Sequence, residues 1–189
     1  YFGPIKLDKS AEIAFFSTNG ADSSAVVTTA FTRMNAKRSI KLHSDYANQY
    51  AAGGHDALID GLKGGDNFKT GTWQGYQGQD VVATLDLGGI EKVNHVKVGF
   101  LQDSRSWILL PEKVKVFVSK NGTDFSEVET QSHKIPKREE KPTVKRFAFE
   151  IDDKVRFIKV EAISPGKLPE WHLGAGGKSW IFVDEIEIE

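Results

Sequence analysis

The chain has no cysteine, and that absence removes disulfide bonds, thiolate nucleophiles and cysteine metal sites together. It leaves the compartment open, because exported domains also lack cysteine. Nor is there an excess of charge of one sign. Lys and Arg number 25 against 26 Asp and Glu, interspersed along the chain, so the basic footprint of a nucleic-acid or anionic-membrane binder is missing. No apolar run approaches the roughly 18 residues that cross a bilayer as a helix, and no signal-like segment begins the chain. Opening at Tyr1-Phe-Gly-Pro without Met, the chain reads as an excised or processed piece. Helical periodicity is nearly absent, none of the five His residues is spaced from another like a zinc pair, and no Ser/His/Asp arrangement sits in a nucleophile-elbow context. Stability must come from an apolar core alone. With 189 residues, that core belongs to one good-sized domain, or to a slightly smaller domain with a fragment attached.

What is present is alternation. Val114 to Ser119, Arg146 to Ile151, Arg156 to Ile163 and Ile181 to Ile188 each follow the period-two pattern of half-buried strands. Further strands fit Val81 to Leu87 and His95 to Leu101, separated by Gly88-Gly89. Lys120-Asn-Gly-Thr123 between two strands is a hairpin signal. One helical turn fits Asp56 to about Leu62. Short strands with frequent turn signals predict an all-β sandwich or jelly-roll barrel. The first 37 residues differ: strands near Ala11 to Phe16 and Ala25 to Arg33 are too few to bury a core of their own. They are expected to be the end of a neighbouring domain, with the main domain running from 38 to 189 and entered by Arg38 to Tyr50. The charged segment Lys134 to Lys145, with Pro136 and Pro142, reads as a solvated connection.

The four tryptophans lie between the strand-like runs, in glycine-rich or polar stretches. An indole in a loop offers a flat apolar face and an N–H at its edge, which suits a ligand both greasy and polar, and sugars are such ligands. Leu168 to Trp180 holds two Trp, a His and a Lys on one long loop, with glycines at 174, 176 and 177 that permit tight turns and close approach. Trp73 and Trp180 abut strands and are expected to close the barrel ends, leaving Trp107 and Trp171 as candidate platforms.

From Ser39 onward the motifs Ala57-Leu-Ile-Asp-Gly61, Trp73-Gln-Gly-Tyr76, Leu85-Asp-Leu-Gly88, Val116-Phe-Val-Ser-Lys-Asn-Gly122, Val155-Arg-Phe-Ile-Lys-Val160 and Val183-Asp-Glu-Ile186 follow one another. In that order they resemble the coagulation factor V/VIII type C, or discoidin-like, galactose-binding-like domain, most closely the family 32 carbohydrate-binding modules. Leu101-Gln-Asp-Ser-Arg-Ser-Trp-Ile108 and Trp171-His-Leu-Gly resemble the modules that end bacterial exo-β-N-acetylhexosaminidases. In that setting Gly3-Pro-Ile5 and Ser10-Ala-Glu-Ile13 look like the end of a small immunoglobulin-like domain.

The resemblance implies a non-catalytic module holding a glycoside hydrolase, of β-N-acetylhexosaminidase type in the same chain, near galactose- or N-acetylhexosamine-terminated glycans. It implies a monomer exported to a bacterial periplasm or cell surface. Three loops at one end of the barrel would carry the sugar site: Trp107, Trp171, Arg105 and His172 first, then Gln102 and Asp103, then Tyr76. The family's structural calcium ion would rest on Asp60 and Glu185, with carbonyls from Leu62 to Asn67 and Asp66 as a further carboxylate. Thr two residues before the first Trp is usual there, whereas Gly71 stands in that place between Thr70 and Thr72. The competing reading has Asp60 capping a turn and Glu185 as a strand-edge charge. Asp184-Glu185 also looks like the catalytic pair of hexosaminidases, but in an alternating strand neighbours point to opposite faces, which argues against catalysis. Two other classes stand beside sugar binding: an interaction domain packed on the parent enzyme, and a phospholipid binder. The phospholipid binder ranks last because the loops are mixed in charge.

Overall fold

Alternating apolar residues must place one face of each strand in a core, and the computed structural model, which describes residues 3–31, 33 and 37–189, builds almost its whole regular structure this way. It divides into two units, Tyr1–Asn35 and Ala36–Glu189. In the first, β1 (Ala11–Phe15) pairs antiparallel with β4 (Val27–Phe31), and the short β2 (Thr18–Asn19) and β3 (Asp22–Ser23) pair with each other. Thr32, within the second strand expected here, lies outside the described residues, as do Tyr1 and Ala36.

The second unit is a seven-stranded antiparallel sheet folded as a sandwich. Its strands are β5 (Ser39–Leu42), β6 (Gln74–Gln77), β7 (Val81–Gln102), β8 (Lys113–Ser119), β9 (Ser126–Gln131), β10 (Thr143–Ile163) and β11 (Trp180–Ile188). The order is β6-β11-β7-β10-β8-β9, with β5 paired to β7. The inward set, including Ala83, Leu85, Val96, Val98, Phe100, Val116, Phe147, Phe149, Ile158 and Val160, is fully buried and forms one continuous core. Burying a side chain of this size contributes about 1.5–3 kcal/mol. The Lys120 to Thr123 turn is the hairpin expected, with Gly122 at φ +79° and the Asn121 carboxamide accepting from the Thr123 and Asp124 N–H groups.

Two expectations fail in an instructive way. Gly88-Gly89 does not separate two strands; β7 runs through it, with Gly88 at φ +80°, and β10 runs the full length beside it with bulges between Glu150 and Asp153 and between Val155 and Phe157. Both strands bend at one level, which curls a single ribbon into both layers of the sandwich. Likewise, β11 is bulged between Val183 and Ile186, so Asp184 and Glu185 do not point to opposite faces: both are buried.

Candidate functional site

Three segments meet at one end of the sandwich. The first leaves β7: Asp103 bridges Ile108, Ser104–Ser106 form a 3-10 turn, and Trp107 closes it at φ +68°. A left-handed conformation is rare for a bulky residue and costs about 1–3 kcal/mol unless the surroundings enforce it. Here the Trp107 N–H donates to Ser104 O (3.1 Å) and its carbonyl accepts from the Trp180 N–H (2.9 Å), pinning the residue to the start of β11. The second segment, from Leu168, is closed on itself by successive turns: the Leu168 N–H donates to Gly177 O, that of His172 to Pro169 O, and that of Ala175 to His172 O. Gly174 and Gly177 let this loop lie on the Trp107 ring; a Cβ at Gly174 would stand 2.5 Å from its Cζ2. The third is the stretch between Pro136 and Pro142. Gln102 Nε2 donates to the Pro136 carbonyl (2.8 Å), and the Ser104 hydroxyl donates to that of Lys137.

Together they enclose a pocket of about 460 Å3 lined by Arg105, Trp107, Arg138, Glu140, Trp171 and His172, with Ser104, Glu139 and Leu173 at its edges. That volume is within the usual range for small-ligand sites. Trp107 and Trp171 remain 38% and 42% exposed. His172 is wedged between them, its ring 6.1 Å from Trp107 edge-on and 5.7 Å from Trp171. Its Nε2–H donates to Ser104 O (2.6 Å) and its Nδ1 accepts from the Gly174 N–H (2.9 Å), so these two bonds fix the tautomer and tie two of the loops together. The Arg138 guanidinium lies 5.5 Å from the Trp171 ring centroid, and Arg105 reaches Glu140 at 3.4 Å. The latter pair is too exposed to matter for stability. Chemically the pocket offers two indole surfaces, two guanidiniums and two carboxylates. That set can stack on a pyranose face and hydrogen-bond its hydroxyls.

Of the residues expected at a sugar site, the structure brings Arg105, Trp107, Trp171 and His172 together, with His172 itself buried as the wedge between the rings. Asp103 stands beside the pocket, its carboxylate accepting from the Ser106 hydroxyl at 2.8 Å. Gln102 and Tyr76 are corrections. Gln102 is buried beneath the pocket, holding the 136–142 segment, because it is the last inward position of β7. Tyr76 is fully buried in the main core, where its hydroxyl donates to Gln74 Oε1 at 2.6 Å. Trp73 packs in a smaller core with its indole N–H on Gly65 O, and Trp180 lies edge-on to Tyr50 within that core's aromatic cluster. The solvated connection expected from Lys134 to Lys145 is also the pocket's third wall, and Arg138, Glu139 and Glu140 were missed there. Its two prolines, which limit how far the segment can move, were the only signal.

At a separate place, the residues expected to hold calcium are found in different settings. Asp60 follows the 3-10 turn Ala57–Ile59 and its Oδ1 accepts from the Leu62 N–H (2.8 Å), as the turn-capping reading has it. Glu185 is no strand-edge charge: it is buried, its Oε2 accepting from the Gly61 N–H at 3.0 Å. Burial pushes its carboxyl up to about 8, aided by the charges of Asp60, Asp184 and Glu187 and opposed by the Gly61 hydrogen bond. Burial raises the Asp60 carboxyl as well, opposed by its own backbone contacts. Neighbouring acids are compensated. Asp184 holds Arg146 through both nitrogens (2.6 and 3.2 Å) and accepts from the Gly64 N–H (2.7 Å), and Glu187 pairs with Lys63 at 2.6 Å. Asn67 is a correction in part, because its side chain caps the turn Phe68–Thr70 through the Lys69 N–H, and Asp66 is exposed. Among the described residues, no group of three or more His, Asp or Glu side chains gathers as metal ligands.

The family model described as F5/8 type C domain matches residues 35–181. Among solved structures, the chain is similar to CpGH89CBM32-5 from Clostridium perfringens in complex with GalNAc-beta-1,3-galactose (17% identity, 80% of this chain and 94% of that one, TM-score 0.51). It is similar to a GH31 CBM32-2 domain bound to GalNAc (13% identity, 80% and 97% covered, TM-score 0.52). A further likeness is to a Ruminococcus gnavus GH29 fucosidase in complex with fucose (14% identity, 82% of this chain and 25% of that one, TM-score 0.52). At such identities the likeness establishes the fold. The comparison with curated protein sequences returns no match.

Proposed function

The chain belongs to the F5/8 type C domain family, and from that premise we propose that its second unit is a non-catalytic carbohydrate-binding module whose ligand seat is the pocket between Trp107 and Trp171. The observation that carries this is the pair of half-exposed indoles set around His172, with Arg105 and Arg138 within the same pocket. Solvent-facing indoles of this kind cost hydration energy that stacking on a sugar recovers. The similar modules bound to GalNAc and to a GalNAc-galactose disaccharide support the same ligand class. Catalysis finds no support in Asp184 and Glu185, since Asp184 is engaged by Arg146 and both are shut off from solvent. In this reading the module tethers a glycoside hydrolase, of β-N-acetylhexosaminidase type, at an exported location, and the first unit is the end of an immunoglobulin-like domain. A shallow pocket of this kind binds weakly, and linkage to the enzyme supplies the missing affinity by effective concentration.

We propose that Glu185 and Asp60 hold a structural calcium ion. Two carboxylates whose charged forms are penalised, beside acids already matched by Arg146 and Lys63, suit a hard cation, and carbonyls of the Leu62 to Asn67 stretch would complete the oxygen shell. The ion would pin that stretch and take no part in sugar contact.

A glycan array followed by titration of the Trp171→Ala variant tests the reading. Binding to a galactose-, N-acetylglucosamine- or N-acetylgalactosamine-terminated glycan, weakened at least tenfold in the variant, is expected. No binding to any of the three refutes it. The fully exposed Leu173 beside the pocket favours one second reading, docking of this loop on the parent enzyme. A stable complex between the chain and the catalytic domain, lost in Leu173→Ser, would support that instead.

A further inference from the structure

Away from the tryptophan pocket, the outward face of β5, β7 and β10 forms an open groove of about 580 Å3, walled on one side by the β8 to β9 turn. The register explains its chemistry. Lys41 stands opposite Thr84, and Thr84 opposite Lys159, so two ammonium groups flank one hydroxyl on the same face. Their strands are two spacings apart, roughly 10 Å. His43, two residues along β5 from Lys41, brings its Nε2 to 3.0 Å from Thr84 Oγ1.

The groove's own anions offset this centre only in part, leaving Lys41 as its uncompensated charge. Asp86 is gripped by Arg156 through two nitrogens (2.8 and 2.9 Å), and Glu161 pairs with Lys159 at 2.8 Å. The Lys159 ammonium is further held over Phe117 and Phe125, at 4.3 and 5.3 Å from their centroids. The Lys41 side chain has no hydrogen bond or ion pair among the described residues. His43 is kept below its ordinary range chiefly by partial burial and then by the charges of Lys41 and Lys159. The far wall is aromatic: Phe157 is backed by Gly122, where a Cβ would meet the ring at 3.1 Å, and Phe125 lies beside it.

We propose that this groove is a second ligand site, for a sugar unit bearing a carboxylate or sulfate ester, with the anion between Lys41 and Lys159 over Thr84 and the ring toward Phe125. An exposed ammonium without a partner, a hydroxyl and an imidazole converge there, while the aromatic wall supplies the apolar contact that a free inorganic anion would not use. The site shares no residue with the tryptophan pocket and does not depend on it.

The test is calorimetric and NMR titration of the full chain with three probes: an oligogalacturonate, a sulfated galacto-oligosaccharide and a neutral galacto-oligosaccharide. At low ionic strength at least one anionic probe is expected to bind with shifts at Thr84 and His43, and to weaken as salt is added. Lys41→Ala should weaken it about tenfold, as for a lost charge-assisted hydrogen bond, and Lys41→Arg should restore most of that. Trp171→Ala should leave it unchanged. Binding of the oligogalacturonate alone assigns the site to carboxylated sugars, of the sulfated probe alone to sulfate esters, and of both to anionic sugars generally. The proposal is overturned if neither anionic probe shifts the groove, if Lys41→Ala leaves the affinity unchanged, or if the neutral probe binds there equally well.

Discussion

Raising the pH should destabilise the second unit when calcium is withheld, and Glu185 is the reason. Its carboxyl sits at about 8 against an ordinary 4.5, chiefly because it is buried and then because Asp60, Asp184 and Glu187 surround it with negative charge. Below about 4.5 the folded and unfolded chains both hold the proton and the group is silent. Between about 4.5 and 8 the unfolded chain releases the proton while the folded chain keeps it, so stability falls by up to roughly 1.4 kcal/mol for each pH unit. Above about 8 the folded chain is ionised too, and the loss levels off on the order of 5 kcal/mol, a large share of the usual 5–15 kcal/mol. Calcium would replace the proton and oppose this loss, by about 2.7 kcal/mol at a hundred times its Kd. Urea unfolding followed by tryptophan fluorescence at about pH 5.5, 7 and 8.5, with chelator or with calcium, reads both effects. Glu185→Gln should flatten the pH slope and abolish the calcium response. A flat profile in chelator, or the same slope in Glu185→Gln, would refute the assignment to Glu185, and an undiminished calcium response in that variant would refute its place among the ligands.

Arg146→Ala leaves the fully buried Asp184 carboxylate without its two guanidinium contacts, and urea unfolding should show a loss of about 3–5 kcal/mol; a loss under about 1 kcal/mol would mean that the Gly64 and Glu185 N–H groups suffice to hold Asp184. Gly174→Ala drives a methyl to within 2.5 Å of the Trp107 ring and should displace it, reducing glycan affinity in a titration while the unfolding midpoint moves little; unchanged affinity would remove Trp107 from the site. Leu85→Ala, at the centre of the core, should cost about 2–5 kcal/mol in the same unfolding assay without altering glycan affinity once corrected for the folded fraction.

The strands were legible because each carries its own periodicity. Lys113–Ser119 and Trp180–Ile188 are found almost where alternation put them, and Asn121-Gly122 makes its turn from local chemistry. Where the outcome depended on partners, the sequence misled. Gly88-Gly89 reads as a break, yet the neighbouring β10 carries β7 through it. Asp184-Glu185 reads as alternating, yet a bulge buries both, and no pattern within eight residues announces a bulge set by Gly61 and Gly64 far upstream. The pocket divides the same way. Trp107 and Trp171 stood out by residue type, whereas Arg138 and Glu140 owe their position to Gln102 and Ser104, contacts between segments more than thirty residues apart. Gln102 was named for its polarity, but its strand position decided its fate.

The placement of β11 has a consequence for folding. It lies between β6 and β7, and among the described residues β6 pairs with no other strand beyond the bridge between Ala51 and Gln74, so the last strand of this fold in chain order is an interior one. Until it docks, β6 has only the 47–51 segment to bond to, Trp107 lacks the Trp180 N–H that pins it, and Arg146 has no Asp184. The strands β5, β7, β10, β8 and β9 can pair without β11, but β6 joins the sheet only when that strand docks. Completion of the fold therefore hangs on a contact between distant parts of the chain, which predicts slower folding than for a helical module of equal length.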